Sequence, residues 1–228
     1  MDNKVKRTKH TNQYVIIGLG RFGSSLAREL VKLGYDVLGI DKDEQIVHSM
    51  RDVLTHGVAA DSTDEDVMRS LGIRNFDCAV VAIGADIQAN IMSAILLKEI
   101  GVKMVVGKAL TELHGRVLQR IGVDRVIHPE RDMAVRVAHQ LVTPSLLDYI
   151  ELSKDYTIAE LVVPARLEGT KLKDLDPRSR YGCSIVAINK NHGIIIAPNA
   201  EDVLNEEDIM VIIGTNAQVE LFENEMMD

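Results

Sequence analysis

The 228-residue chain has no tryptophan, only three phenylalanines and five tyrosines, and just two cysteines. With so few thiols and no CxxC spacing there is no disulfide framework and no zinc knuckle. Cys78 and Cys183 lie inside the apolar runs CAVVAI and CSIVAI and read as small buried hydrophobes. A long apolar run is also missing. The longest nearly uncharged stretch, Cys78 to Ala85, falls far short of the roughly 20 residues that a membrane-spanning helix needs. Lys4, Lys6, Arg7 and Lys9 lead into a short β-like run, not into the long apolar helix of a secretory signal, and the expectation is a cytoplasmic protein. No GxSxG, HExxH or EF-hand loop occurs. Gly101 and Gly107-Lys108 stand one residue too far apart for a P-loop, and Ala109 replaces the Ser/Thr that would hold magnesium. His128-Pro-Glu130 is not followed by PCxxC, which sets aside a zinc deaminase. His114, His128 and His139 have no metal-ligand spacing and read as satisfied or exposed imidazoles.

The chain does contain enough apolar material, 46% of its residues, to build a proper core in one or two domains. Its net charge of −8 is unevenly spread: residues 1–143 hold 19 Lys+Arg against 18 Asp+Glu, whereas residues 144–228 hold 7 against 16. The shift points to two modules, and the acidity argues against nucleic acid as a partner.

Hydrophobic patterning divides the chain in the same place. Tyr14-Val-Ile-Ile-Gly reads as a buried strand, and Phe22, Leu26, Leu30 and Leu33 carry the spacing of one helical face. Strand and helix then alternate until six strands have passed, ending in a helix from Glu130 to Leu141. That alternation predicts right-handed crossovers and a doubly wound, Rossmann-like parallel sheet. Thr143-Pro144-Ser145 breaks the pattern. The expected organisation is a basic flexible tail at 1–12, an α/β domain at 13–143 and a small α+β domain at 144–228. In the last, Thr157–Val163, Cys183–Asn189, Gly193–Ala197 and Ile209–Ile213 read as strands, with Asn191-His192-Gly193 as a hairpin turn. Met50, Met68, Met92, Met104 and Met133 fall at core-like spacings, and Met226-Met227-Asp228 reads as a frayed end.

Gly18-Leu-Gly20-Arg-Phe-Gly23 follows one predicted strand and opens a predicted helix. In that context each glycine has a use: Gly18 for the tight turn, Gly20 for the approach of a phosphate to the backbone, and Gly23 for packing helix on strand. Free N–H groups at the positive helix end then attract an anion. Asp41 ends the second strand 23 residues after Gly18, where a carboxylate can accept both ribose hydroxyls. The same features suit NAD(H), so a nicotinamide-nucleotide sensor or small NAD-dependent oxidoreductase stands as the alternative to an adenine-nucleotide sensor. The chain offers no evident His, Lys or Tyr cluster for proton transfer, which favours a binding module over an enzyme.

The residues also resemble a known family. Gly18–Gly23, Gly39-Ile-Asp41, Asp61-Ser-Thr-Asp64, Leu71–Phe76, Ala82–Gln88, Gly122–Glu130 and Tyr181–Ile188 are similar to the cytosolic RCK-type regulatory subunits of Ktr/Trk potassium transporters. The resemblance implies a Rossmann RCK N-terminal domain followed by an RCK C-terminal domain. It also implies a homodimer assembling into an octameric ring on the cytoplasmic face of a membrane potassium channel subunit, with ATP activating relative to ADP. Matched by position, Gly18, Gly20 and Gly23 take the phosphates, Asp41 the ribose, and Asp61 lies near the adenine. Phe22, Lys42, Ser62, Ala82, Ile83 and Gly84 complete the nucleotide-binding set. Arg21 is implied to reach a γ-phosphate in the neighbouring protomer, and Lys108 to approach the terminal phosphate. Glu130 is implied to hold a cation, Mg2+, Ca2+ or Na+, between facing nucleotides. On residue type alone Arg21 is equally a solvated helix-start arginine, Lys108 a strand-end surface lysine, and Pro129-Glu130 an ordinary helix start. In the second domain the resemblance implies a cyclic di-AMP site at Arg178, Ile185 and Ile188, with Pro177 and Ala200 departing from the family pattern.

Overall fold

The computed structural model describes residues 12–142 and 146–227. Its contacts divide the chain into two compact units, Met1–Glu130 and Arg131–Asp228. Most of the expected basic tail and the Thr143-Pro144-Ser145 boundary lie outside the described residues.

The first unit alternates strand and helix: β1 (Gln13–Ile17), α1 (Arg21–Lys32), β2 (Asp36–Asp41), α2 (Glu44–Ser49), β3 (His56–Ala59), α3 (Glu65–Ser70), β4 (Cys78–Val81), α4 (Ile87–Ile100), β5 (Val105–Lys108), α5 (Glu112–Arg120) and β6 (Arg125–Ile127). Helix α6 (Pro129–Val142) begins here and continues into the second unit. The strands lie in the order β3-β2-β1-β4-β5-β6, and all five pairings are parallel. A parallel sheet with helices on both faces buries its central strands on both sides, which is why β1 and β4 read as unbroken apolar runs, while the edge strands β3 and β6 stay partly exposed. Val15 and Ile17 pack in one cluster with Val81 and Leu97, and Ile16 packs in the other with Val37, Val80 and Ala27. The strand order reverses between β1 and β4, where a crevice opens at the carboxyl ends.

The helix starts are locally encoded. Asp43, Asp64, Asp86 and Thr111 each accept a hydrogen bond from a backbone N–H in the first turn of α2, α3, α4 and α5. Helix α1 is the exception, since Gly20 precedes it and no side chain caps it. Helix α4 stops at Gly101, whose φ of +87° only glycine adopts cheaply.

The second unit holds β7 (Leu146–Glu151), β8 (Tyr156–Val162), two short helices α7 (Leu172–Leu175) and α8 (Pro177–Tyr181), β9 (Ser184–Lys190), β10 (Gly193–Ile196), β11 (Ile209–Thr215) and α9 (Asn216–Met227). Its sheet is antiparallel in the order β10-β9-β11-β8-β7. Alternate residues of β8 and β11, among them Leu161, Met210 and Ile212, turn inward against Phe222 of α9. The Asn191-His192-Gly193 turn joins β9 to β10 as expected. Cys78 and Cys183 are both free and buried, at 4% and 0% exposure, and burial pushes the Cys78 thiol up to about 11.

Three expectations need correction. Met50 and Met68 are buried, but Met92, Met104 and Met133 are each more than 40% exposed, because helical spacing marks a stripe without saying what covers it. Strand β7 and helix α9 were not anticipated. The terminal Met226 is not frayed: it is enclosed in the core, and the Arg166 guanidinium donates to its carbonyl at 2.6 Å. Helix α9 is thus part of the second core. Phe222→Ala is expected to cost about 3–5 kcal/mol, the usual loss for a fully buried aromatic. Denaturant unfolding of the full chain reads that loss, and a cost within a few tenths would show that α9 is dispensable.

Candidate functional site

The site begins with the backbone between β1 and α1. Gly18 has φ +90°, and a Cβ there would stand 2.8 Å from the Ile83 nitrogen; at Gly23 it would stand 1.9 Å from the Gly18 carbonyl oxygen. Neither position tolerates a side chain. Gly20 differs: its φ of −62° suits any residue, and nothing lies within 4 Å of where its Cβ would be. The protein does not need glycine there, but a ligand approaching the uncapped start of α1 does.

That open space belongs to a cleft of about 710 Å3 at the crevice between β1 and β4. Its size falls in the range of small-molecule sites. Of the residues assigned to a nucleotide, Gly18, Gly20, Asp41, Lys42, Asp61, Ser62, Ala82, Ile83 and Gly84 line this cleft. Asp41 accepts the Leu19 N–H at 2.7 Å with one oxygen and the Asp43 N–H at 3.0 Å with the other, so it fastens the glycine turn to the end of β2. Each oxygen keeps further lone pairs with which to accept hydroxyl protons. Asp61 accepts from the Thr63 hydroxyl at 2.7 Å and the Thr63 N–H at 2.9 Å. These two bonds, the hydroxyl first, hold its carboxyl below the usual range. Ser62 and Ser93 share a buried hydrogen bond of 2.7 Å, tying the β3 exit to α4. The sequence reading missed Thr63, Ile46, Gln88 and Met92, which also line the cleft. The Asp61-Ser-Thr-Asp64 run was the available signal for Thr63.

Five expected residues, Arg21, Phe22, Gly23, Lys108 and Glu130, do not line the cleft. Arg21 is exposed in the first turn of α1. Phe22 is half-buried, with the Lys108 ammonium 5.6 Å from its ring centroid. Gly23 serves packing. Lys108 is no surface lysine: it is 6% exposed, and its nitrogen lies 3.5 Å from where a Cβ on Gly84 would stand. It donates to Glu130 at 2.5 Å, and that bond holds the Glu130 carboxyl below the usual range, with a smaller contribution from Arg21. The pair is lopsided, the lysine side chain 8% exposed and the glutamate 63%.

The expected cation at Glu130 meets a single carboxylate already engaged by Lys108, and no cluster of three acidic, histidine or cysteine groups exists among the described residues. In the second unit, Arg178 donates to the Ser184 hydroxyl at 3.3 Å and Ile185 is half-buried, but Ile188 is fully enclosed in the core. The Ile188 side chain is turned inward and not exposed for the expected packing on a base: a register shift where β9 meets β11 leaves it facing the same core as Ile185. Among the described residues no helix is long and apolar enough to cross a membrane.

Strand order, glycine turn and crevice together define a Rossmann-type unit followed by a small antiparallel α+β unit. The TrkA-N domain family matches residues 14–129 and the TrkA-C domain family matches residues 157–227. The Ktr system potassium uptake protein C of Bacillus subtilis (strain 168) is 44% identical over 94% of this chain and 97% of its own length. Protein A of the same system and organism is 43% identical over the same shares. Among solved structures, the GsuK channel superposes with a TM-score of 0.69 at 20% identity, over 97% of this chain and 40% of that chain, which shows the fold. The chain belongs to the family of RCK-type Ktr/Trk potassium uptake subunits, built from a TrkA-N and a TrkA-C domain.

The glycines separate packing from ligand space. Gly20→Ala is expected to change folding stability by no more than about 0.5 kcal/mol, while Gly23→Ala costs at least about 1–3 kcal/mol by overpacking. Thermal unfolding compares them, and equal losses would mean that Gly20 also serves packing.

Proposed function

We propose that this chain is the nucleotide-responsive regulatory subunit of a Ktr-type potassium uptake system, a binding module without turnover. It takes ATP and ADP in the cleft between β1 and β4 and acts from the cytoplasmic side on a membrane potassium-conducting subunit, as a homodimer assembled into an octameric ring. The observation that carries the reading is the contrast between crowded Gly18 and Gly23 and open Gly20, at the one capless helix start of the first unit's long helices α1, α4 and α5. The 44% and 43% identities to Ktr system proteins over nearly the whole chain support the transport role.

In this reading the Gly20 backbone and the start of α1 would hold phosphates, Asp41 the ribose hydroxyls, and Asp61 with Thr63 the adenine end. Arg21, exposed beside Glu130, is free of the cleft and available to a nucleotide in a neighbouring copy. A guanidinium contact made to a γ-phosphate exists with ATP and is lost with ADP. Regulation then needs no hydrolysis: a ligand shifts a two-state assembly by its difference in affinity for the two states.

Calorimetry on the purified protein with ATP, ADP, NAD and NADH tests this. Arg21→Ala is expected to weaken ATP by about tenfold or more, the scale of a charge-assisted contact, while leaving ADP within about threefold. Asp41→Asn should weaken both by the same factor. Equal losses of ATP and ADP in Arg21→Ala would remove the neighbour contact, and binding of NADH in preference to ATP would replace this reading with a nicotinamide sensor.

A further inference from the structure

Helix α4 is apolar along its buried side except for Asn90 and Ser93, both fully buried. Burying an amide is costly unless all its hydrogen bonds are made, and a leucine would fill the same space more cheaply. Both amide protons of Asn90 and its amide oxygen find partners. Its Nδ2 donates to the Ile83 carbonyl at 2.8 Å and to the Lys108 carbonyl at 3.2 Å, and its Oδ1 lies 3.2 Å from His114 Nε2. The Leu110 N–H donates to His114 Nδ1 at 3.3 Å, so Nδ1 is an acceptor and the ring proton sits on Nε2, donating to Asn90. Burial, with His128 nearby, holds the His114 ring below its ordinary range and keeps it neutral.

The partners of this network are informative. Ile83 leads into Gly84, on the wall of the cleft; Lys108 and Leu110 form the exit of β5. The Lys108 ammonium stands beside Gly84 and over the Phe22 ring, next to the start of α1, where an anion would be drawn. The spacing between that ammonium and the cleft depends on how the two strand exits are held together.

We propose that Asn90 and His114 are positioning residues of the nucleotide site, clamping the exits of β4 and β5 so that Lys108 stands at the terminal-phosphate end of the cleft. They touch no ligand themselves and act through Lys108 and Gly84. The inference rests on the nucleotide reading above.

The test measures dissociation constants for ATP, ADP and AMP on the full chain, for wild type, Asn90→Leu, His114→Phe, Lys108→Met and the His114→Phe/Lys108→Met double variant. Asn90→Leu and His114→Phe are expected to weaken ATP by about tenfold or more and AMP by less than about threefold, the pattern of Lys108→Met. In the Lys108→Met background, His114→Phe should cost nothing further, since it acts through the missing ammonium. If Asn90→Leu does not fold, the ATP-to-AMP split of His114→Phe decides. Equal losses of ATP and AMP, no loss of ATP, or a further loss in the double variant would overturn the clamp and leave the nucleotide reading standing. A wild type that binds none of the three overturns both.

Discussion

Position 23 cannot carry a side chain. The Gly18 carbonyl oxygen lies 1.9 Å from where its Cβ would be, so α1 lies directly on the turn that precedes it. The turn is held from two further sides. Asp41 takes the Leu19 N–H from the β2 side, and the Ile83 backbone presses on Gly18 from the β4 side. Turn, helix start and the exits of three strands thus meet at the point where the sheet changes winding direction. The cleft opens beside this junction.

Much of this was legible because it is local. Alternating apolar runs and helix stripes announced the six strands and the sheet. The glycine spacing announced the turn, whereas the tether that Asp41 makes to it through the Leu19 N–H did not show in the sequence. What stayed hidden depends on partners far apart in sequence. Asn90 and His114 are 24 residues apart and joined through strand exits that neither borders in sequence. The burial of Lys108 needs Phe22 and Glu130 brought in from two other segments. Ile188 was placed beside a ligand by resemblance alone, and its enclosure in the second core follows from the register shift between β9 and β11, which no local pattern announces. The exposed methionines failed for the opposite reason, since periodicity reports amphipathy and not what lies against it.

The Lys108–Glu130 pair shows how uneven burial divides an ion pair's consequences. Without Glu130, a nearly buried ammonium would stay uncompensated, whereas without Lys108 a mostly exposed carboxylate would return to water. The two deletions should therefore not be equivalent, although they remove the same bond. Lys190 and Asp208 in the second unit make the other arrangement: the carboxylate is the buried partner, and it also accepts the Asn205 N–H, as the lysine also donates to the Val203 carbonyl. That pair is fully engaged from within its own loop and strand.

Each compact unit encloses one sulfhydryl, Cys78 in the first and Cys183 in the second. Alkylation requires the thiolate, and neither sulfur meets solvent while its own half stays shut. Slow modification kinetics at the two sulfurs would therefore clock the breathing of each half separately, using atoms the molecule already has.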